Sequence, residues 1–169
     1  MTGLGETVVI GLGNLILSDD GLGIHAVQRL RDRYEFGESV ELIEGGTAGL
    51  LLLPPLADAR RAILVDAIDI GAAPGTLTRL EGKHWTSAFS VRMTPHEVGL
   101  PDLLGALELC GAWPEKLVLL GVQPGCIALG SELSAPVAAV LDSLVDAIAT
   151  ELIAWQASMS CGQGHPGER

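Results

Sequence analysis

Cysteine is scarce in this chain: Cys110, Cys126 and Cys161 are odd in number, far apart and without a CxxC pair. That excludes a disulfide framework or a thiolate zinc site, and it fits a reducing cytoplasm. Cations are scarce as well. Ten Lys and Arg stand against 21 Asp and Glu, a formal charge of -11, so the chain repels a phosphate backbone and no nucleic-acid partner is expected. Aromatic residues make up 4%, and Trp85, Trp113 and Trp155 form no series, so they read as packing residues. Apolar runs stop well short of the ~20 residues of a membrane span, and the amino terminus lacks a basic region ahead of an apolar stretch. A soluble, unprocessed chain without membrane insertion is expected. What is abundant is aliphatic: 169 residues at 48% hydrophobic content can bury one compact core. A single domain over 1–156 follows, with 157–169, rich in Ser, Gly and Pro, expected to be a disordered tail.

The stretch that organises the rest is Val8 to Gly23. Val8-Val9-Ile10-Gly11 is apolar without alternation and reads as a strand covered on both faces. Gly11 and Gly13 allow a sharp turn, and a helix over Leu22 to Tyr34 carries Ile24, Val27 and Leu30 on one face. A second strand over Val40 to Ile43 closes on Glu44-Gly45-Gly46. A short helix over Ala48 to Leu53 is expected to stop at Pro54-Pro55, with a further turn to Asp58. Ala62 to Val65 is another buried strand, ending on Asp66, and Thr76 to Leu80 is a short edge or antiparallel strand. A surface loop from Glu81 to Thr94 brings His96 near the start of a helix over Pro101 to Cys110. A strand over Leu117 to Val122 and one long amphipathic helix from Ala135 to Trp155 complete the pattern. Strands alternating with helices predict an α/β protein with a mainly parallel sheet between two helical layers. The carboxyl ends of parallel strands share one edge, which gathers Asp19 or Asp20, Glu44, Asp66 and His96 in one crevice.

Three chemistries compete for that crevice. A dinucleotide loop needs a third small residue where Ile16 stands and an immediate helix, and Asp19 and Asp20 would repel a pyrophosphate. A divalent metal held by Asp20, Asp66 and His96 suits a borderline ion such as Ni or Zn and leaves positions for water or a substrate carbonyl. Against it stands the plainer use of each residue: a helix-start Asp as N-cap, a post-strand Asp as turn former, a lone surface His. Thiol catalysis lacks an activating base, since Cys110 falls on a helix and is expected in the core, while Cys126 lies in a turn.

Gly11-Leu12-Gly13-Asn14, Asp19-Asp20-Gly21-Leu22-Gly23, Glu44-Gly45-Gly46-Thr47-Ala48-Gly49, Val65-Asp66-Ala67 and Pro95-His96-Glu97-Val98-Gly99-Leu100 together resemble the nickel-iron hydrogenase maturation endopeptidases, in order from Val8 to Leu152. The resemblance implies a three-layer α/β/α fold with a five-stranded, mostly parallel sheet and one antiparallel strand. It implies an endopeptidase, aspartyl-type or metal-dependent, that removes the C-terminal extension of the hydrogenase large-subunit precursor after nickel insertion. Asp20, Asp66 and His96 would be the catalytic residues and nickel ligands, the nickel being supplied by the substrate, with other divalent metals able to occupy the same positions. Glu44, Gly45, Gly46 and Thr47 would bind substrate, with Glu44 standing where the family usually has Asp. A cytoplasmic monomer is expected, and Asp19 is assigned to capping the first helix. The rival functions are a non-catalytic nickel-binding assembly chaperone and a dinucleotide-binding protein.

Overall fold

In the computed structural model, residues 6–82, 100–157 and 159–161 are described. Strands β1 (Thr7–Leu12), β3 (Val40–Gly46), β4 (Arg61–Ala67), β5 (Leu77–Glu81) and β6 (Lys116–Val122) form one sheet in the order β3-β1-β4-β6-β5. All neighbours in it are parallel except β5, which pairs antiparallel with β6 at the edge. The expected architecture is therefore the observed one, including the odd strand. Two further short strands, β2 (Tyr34–Phe36) and β7 (Met159–Cys161), pair antiparallel outside the main sheet.

Both faces of the sheet are covered, which explains why its strands are apolar without alternation. On one face Val9, Ile63, Val65, Val118 and Leu120 meet helices α1 (Leu22–Arg33) and α5 (Leu141–Ala154). On the other, Val8, Ile10, Leu64, Leu117 and Leu119 meet α2 (Leu53–Asp58) and α3 (Leu100–Leu109). Fully burying an aliphatic side chain of this kind contributes roughly 1.5–3 kcal/mol.

Local readings needed revision in four places. Pro54 and Pro55 do not stop a helix. They lie in the first turn of α2, where a missing amide costs nothing, and a 3-10 turn over Gly49–Leu52 precedes them. The long helix expected from Ala135 to Trp155 is two helices, α4 (Ala135–Ala138) and α5, separated at Val140, which has φ -106° and ψ 0°. Cys110 is exposed just past the end of α3 rather than in the core. The tail expected to lack structure from 157 instead carries β7: Met159 pairs with Phe36 and packs with Tyr34 against the α1–α5 core. Trp155 is buried in that same core, as a packing residue should be.

The strand order creates one switch point. From β1 the chain passes through α1 to β3 on one side, then through α2 to β4 on the other. The loops leaving β1 and β4 therefore diverge to opposite faces and open a crevice at their carboxyl ends.

Candidate functional site

Asp20 and Asp66 stand at that crevice. Asp66 is the penultimate residue of β4, and Asp20 lies in a 3-10 turn, Ser18–Gly21, that joins β1 to α1 and packs against β4. Each is 7% exposed. Both adjoin the Gly13–Asn14 segment. The Asn14 amide donates to Asp20 Oδ2 at 2.9 Å, and a Cβ added to Gly13 would lie 3.6 Å from Asp66 Oδ1. The Ala67 amide donates to Asp66 Oδ1 at 2.8 Å. Each carboxylate thus has one oxygen fixed by a backbone amide, so both groups are oriented before anything binds.

Glycine makes this geometry possible at two places. Gly13 has φ +108°, and a side chain there would collide with the Asp20 carbonyl, 1.7 Å from the added Cβ. Gly23, in the first turn of α1, lies so close to the sheet that a Cβ would sit 2.2 Å from the Val65 carbonyl oxygen and 2.4 Å from that of Leu12. The helix start is thereby pressed onto β1 and β4, which sets the turn that carries Asp20 against the strand that carries Asp66.

Asp19 does something other than cap a helix. No side-chain cap bond is made at the start of either the 3-10 turn or α1. Its carboxylate is wholly buried and accepts four hydrogen bonds: from the amides of Gly125 (2.8 Å), Cys126 (2.8 Å) and Ser134 (2.6 Å) and from the Ser134 hydroxyl (2.7 Å). Burial pushes its pKa up, but the bonds from Ser134, Cys126 and Gly125 outweigh it and hold the group below the usual carboxylate value. Further bonds join the same two segments: Ser18 amide to the Gly130 carbonyl, Gly130 amide to the Ile16 carbonyl, and Ser18 hydroxyl to the Glu132 carbonyl. Ser18 itself adopts φ 52°, a left-handed conformation uncommon for a residue with a side chain. The turn carrying Asp20 is thus held by the loop after β6, a partner more than 100 residues away that no local motif announces.

Gln123, also missed in the sequence, organises the neighbouring loop. It is buried at the end of β6, and its side-chain carbonyl accepts from the amides of Ile70 (2.8 Å) and Ala72 (3.2 Å) just beyond Asp66.

The residues expected to bind substrate have visible structural uses. Glu44 is exposed and accepts from Arg31 at 2.6 Å and Gln28 at 3.0 Å, two residues of α1, which hold its pKa below the usual range. Gly45 is buried, with the Ile10 side chain 2.7 Å from where a Cβ would be, so its small size serves packing. The Gly46 carbonyl accepts from the Gly13 amide at 3.0 Å and so supports the turn between the two acids. Thr47 is exposed beside them. His96 lies outside the described residues. Among the described residues no group of three or more His, Cys, Asp and Glu is arranged to hold a metal. The two carboxylates are hard oxygen donors at one crevice and fit part of a divalent-cation site.

Fold and site together define a three-layer α/β protein with a pair of oriented, buried carboxylates at its switch point. Comparison with known proteins makes the class specific: the chain belongs to the hydrogenase maturation protease family, HycI, whose pattern matches residues 24–151. It is 35% identical over 146 residues to the hydrogenase 2 maturation protease of Escherichia coli K12, covering 86% of this chain and 89% of that one. It is 34% identical over 164 residues to the hydrogenase expression/formation protein HoxM of Azotobacter vinelandii, covering 96% and 79%. The solved hydrogenase maturating endopeptidase HybD from E. coli superimposes with a TM-score of 0.86 at 32% identity, over 92% of this chain and 96% of that one. The chain is accordingly a protease of the endopeptidase type. No helix among the described residues is long and apolar enough to cross a membrane.

Proposed function

We propose that this protein cleaves the C-terminal extension from the large-subunit precursor of a nickel-iron hydrogenase after nickel has been inserted. The observation that carries the reading is the placement of Asp20 and Asp66 next to the same Gly13–Asn14 segment, each buried and each oriented by an amide. Nickel seated in the precursor belongs to the substrate, and Asp20, Asp66 and His96 are the residues that would hold it, with other divalent ions fitting the same donors. A divalent ion held there supplies positive charge to stabilise the oxyanion of peptide hydrolysis. The protein's own part is to present two carboxylates in fixed orientation, so that little reorganisation remains at the moment of reaction. Nickel dependence then gives timing: a precursor without nickel offers these carboxylates nothing to engage. The cytoplasm, where such a precursor is assembled, is the expected compartment, and a monomer is sufficient because both acids come from one chain.

The test is mass spectrometry of purified nickel-loaded precursor mixed with purified protein. Release of the C-terminal peptide is expected. Asp66→Asn and His96→Ala should each lower the rate by at least about a hundredfold, the scale on which removal of a single electrostatic catalytic group is felt. Processing of both variants at the parent rate would sink the three-residue site. Binding of precursor without any loss of mass would point to an assembly chaperone instead.

A further inference from the structure

The crevice is ringed by apolar side chains that the core does not use. Ile16, Leu50, Leu51, Ile70 and Leu129 are between 39% and 84% exposed. They stand on the four segments that follow the parallel strands: 13–21 after β1, 47–52 after β3, 68–76 after β4 and 123–134 after β6. Only Leu109 and Ile153 complete the set of exposed large hydrophobics among the described residues, and both lie at the far ends of helices, toward the opposite edge. Single exposed leucines are ordinary, but five on one edge are not. The loops are also joined into one platform: Gly13 bonds to Gly46, Gly130 to Ile16, and Gln123 to Ile70 and Ala72.

Charge on the same segments is as informative. In a chain with ten Lys and Arg, none falls in these four segments, whose charged residues are Asp19, Asp20, Asp69 and Glu132. Of these, Asp19 and Asp20 are buried, and Asp69 accepts from Gln123 and from the Gly71 amide. An apolar surface depleted of charge around a crevice has the composition of the centre of a protein–protein interface. Among the described residues these four segments hold no cation to receive the terminal carboxylate of a free peptide.

We infer that this rim is the docking surface for the folded body of the hydrogenase precursor, not for its extension. The extension enters the crevice between Asp20 and Asp66 while Ile16, Leu50, Leu51, Ile70 and Leu129 are covered by an apolar face of the precursor. The inference rests on the proposed function for the identity of the partner. It assigns the enzyme's affinity to the rim and its chemistry to the acids, so a free peptide spanning the cleavage site is a poor substrate even though it contains the bond to be cut.

The experiment is steady-state processing of nickel-loaded precursor by the double variant Leu51→Lys/Leu129→Lys, by Leu109→Lys and by the parent. The substituted side chains are exposed, so all three proteins should fold alike by circular dichroism. The double variant should require about tenfold more precursor for half-saturation, the scale of losing an interface anchor, with a rate at saturation close to the parent's. Leu109→Lys, on the opposite edge, should match the parent, and a synthetic peptide spanning the cleavage site should not compete with whole precursor. An unchanged half-saturation for the double variant, or competition by the peptide as strong as that of the precursor, would overturn the inference. Failure of the parent to release any peptide would instead count against the proteolytic reading. In that case titration of the precursor against parent and double variant decides the docking question, equal affinities refuting it.

Discussion

Asp19 and Asp20 are adjacent in sequence and opposite in use. Asp20 accepts from the Asn14 amide beside the strand end that carries Asp66, whereas Asp19 accepts from the loop after β6. A carboxylate next to a helix start satisfies the local requirements of a cap, and nothing nearby in sequence argues otherwise. What decides is a set of amides at 125, 126 and 134 that exist as donors only once β6 lies beside β4. Replacing Asp19 by Asn keeps the shape but removes the charge from bonds that each gain from it, and should cost about 2 kcal/mol at neutral pH. Because the folded-state pKa is depressed, this stability is fully present above the unfolded value near 4 and is lost as pH falls through the lower folded value. The gap between parent and Asp19→Asn in urea unfolding should therefore be widest near pH 7 and shrink below about pH 4. A gap independent of pH would contradict the assignment. The same substitution loosens the Ser18 turn, so processing should slow as well, with the Asp20 carboxylate itself intact.

Elements behave as their ends dictate. Helix α1 is placed by Gly23 against the carbonyls of Leu12 and Val65, all backbone and unable to swing aside. Gly23→Ala must push the helix off the sheet and should cost on the order of 3 kcal/mol, the upper range for overpacking, seen as a lowered urea midpoint. Gly105, on α3 with open space around it, is the control: Ala there should leave stability equal or slightly higher. The break between α4 and α5 has a comparable cause. Ser134 precedes α4 but makes no side-chain cap, because its hydroxyl is given to Asp19, while α5 is committed through Leu144 and Ile148 to the core over α1. Two short helices can satisfy two anchors that a single rod would have to choose between. The apolar periodicity from Val137 to Leu152 shows both as one helix, since it records which side is buried and not against what.

For the molecule as a whole, the pairing of β2 with β7 ties the end of α1 to the end of the chain on the edge away from the crevice. Ending the chain after 157 should lower stability by about 1–2 kcal/mol, the loss of a partly buried Met and a short strand pairing, with nickel-loaded precursor processed at the parent rate. Slower processing by the truncated protein would show that the tail reaches the site. The alternation of apolar strands and helices was enough to specify a mainly parallel sheet between two helical layers, because burial on both faces dictates composition residue by residue. The weaker pattern at Thr76 to Leu80 marked an edge or antiparallel strand; that it is antiparallel came from the family resemblance. Strand direction alone brings carboxyl ends to one edge, and that was enough to gather Asp19 or Asp20, Glu44 and Asp66 there; the choice of Asp20 over Asp19 came from the family resemblance and not from the local pattern. What only the tertiary structure decided is everything that depends on a partner distant in sequence. That includes Asp19 as the clasp of the β6 loop, Gln123 as the support of the loop beyond Asp66, Met159 to Cys161 as a strand, and the exposed leucines as one rim. Hydrogen-bond donors and exposed surface acquire neighbours only after the chain has folded, so their roles are absent from any local pattern.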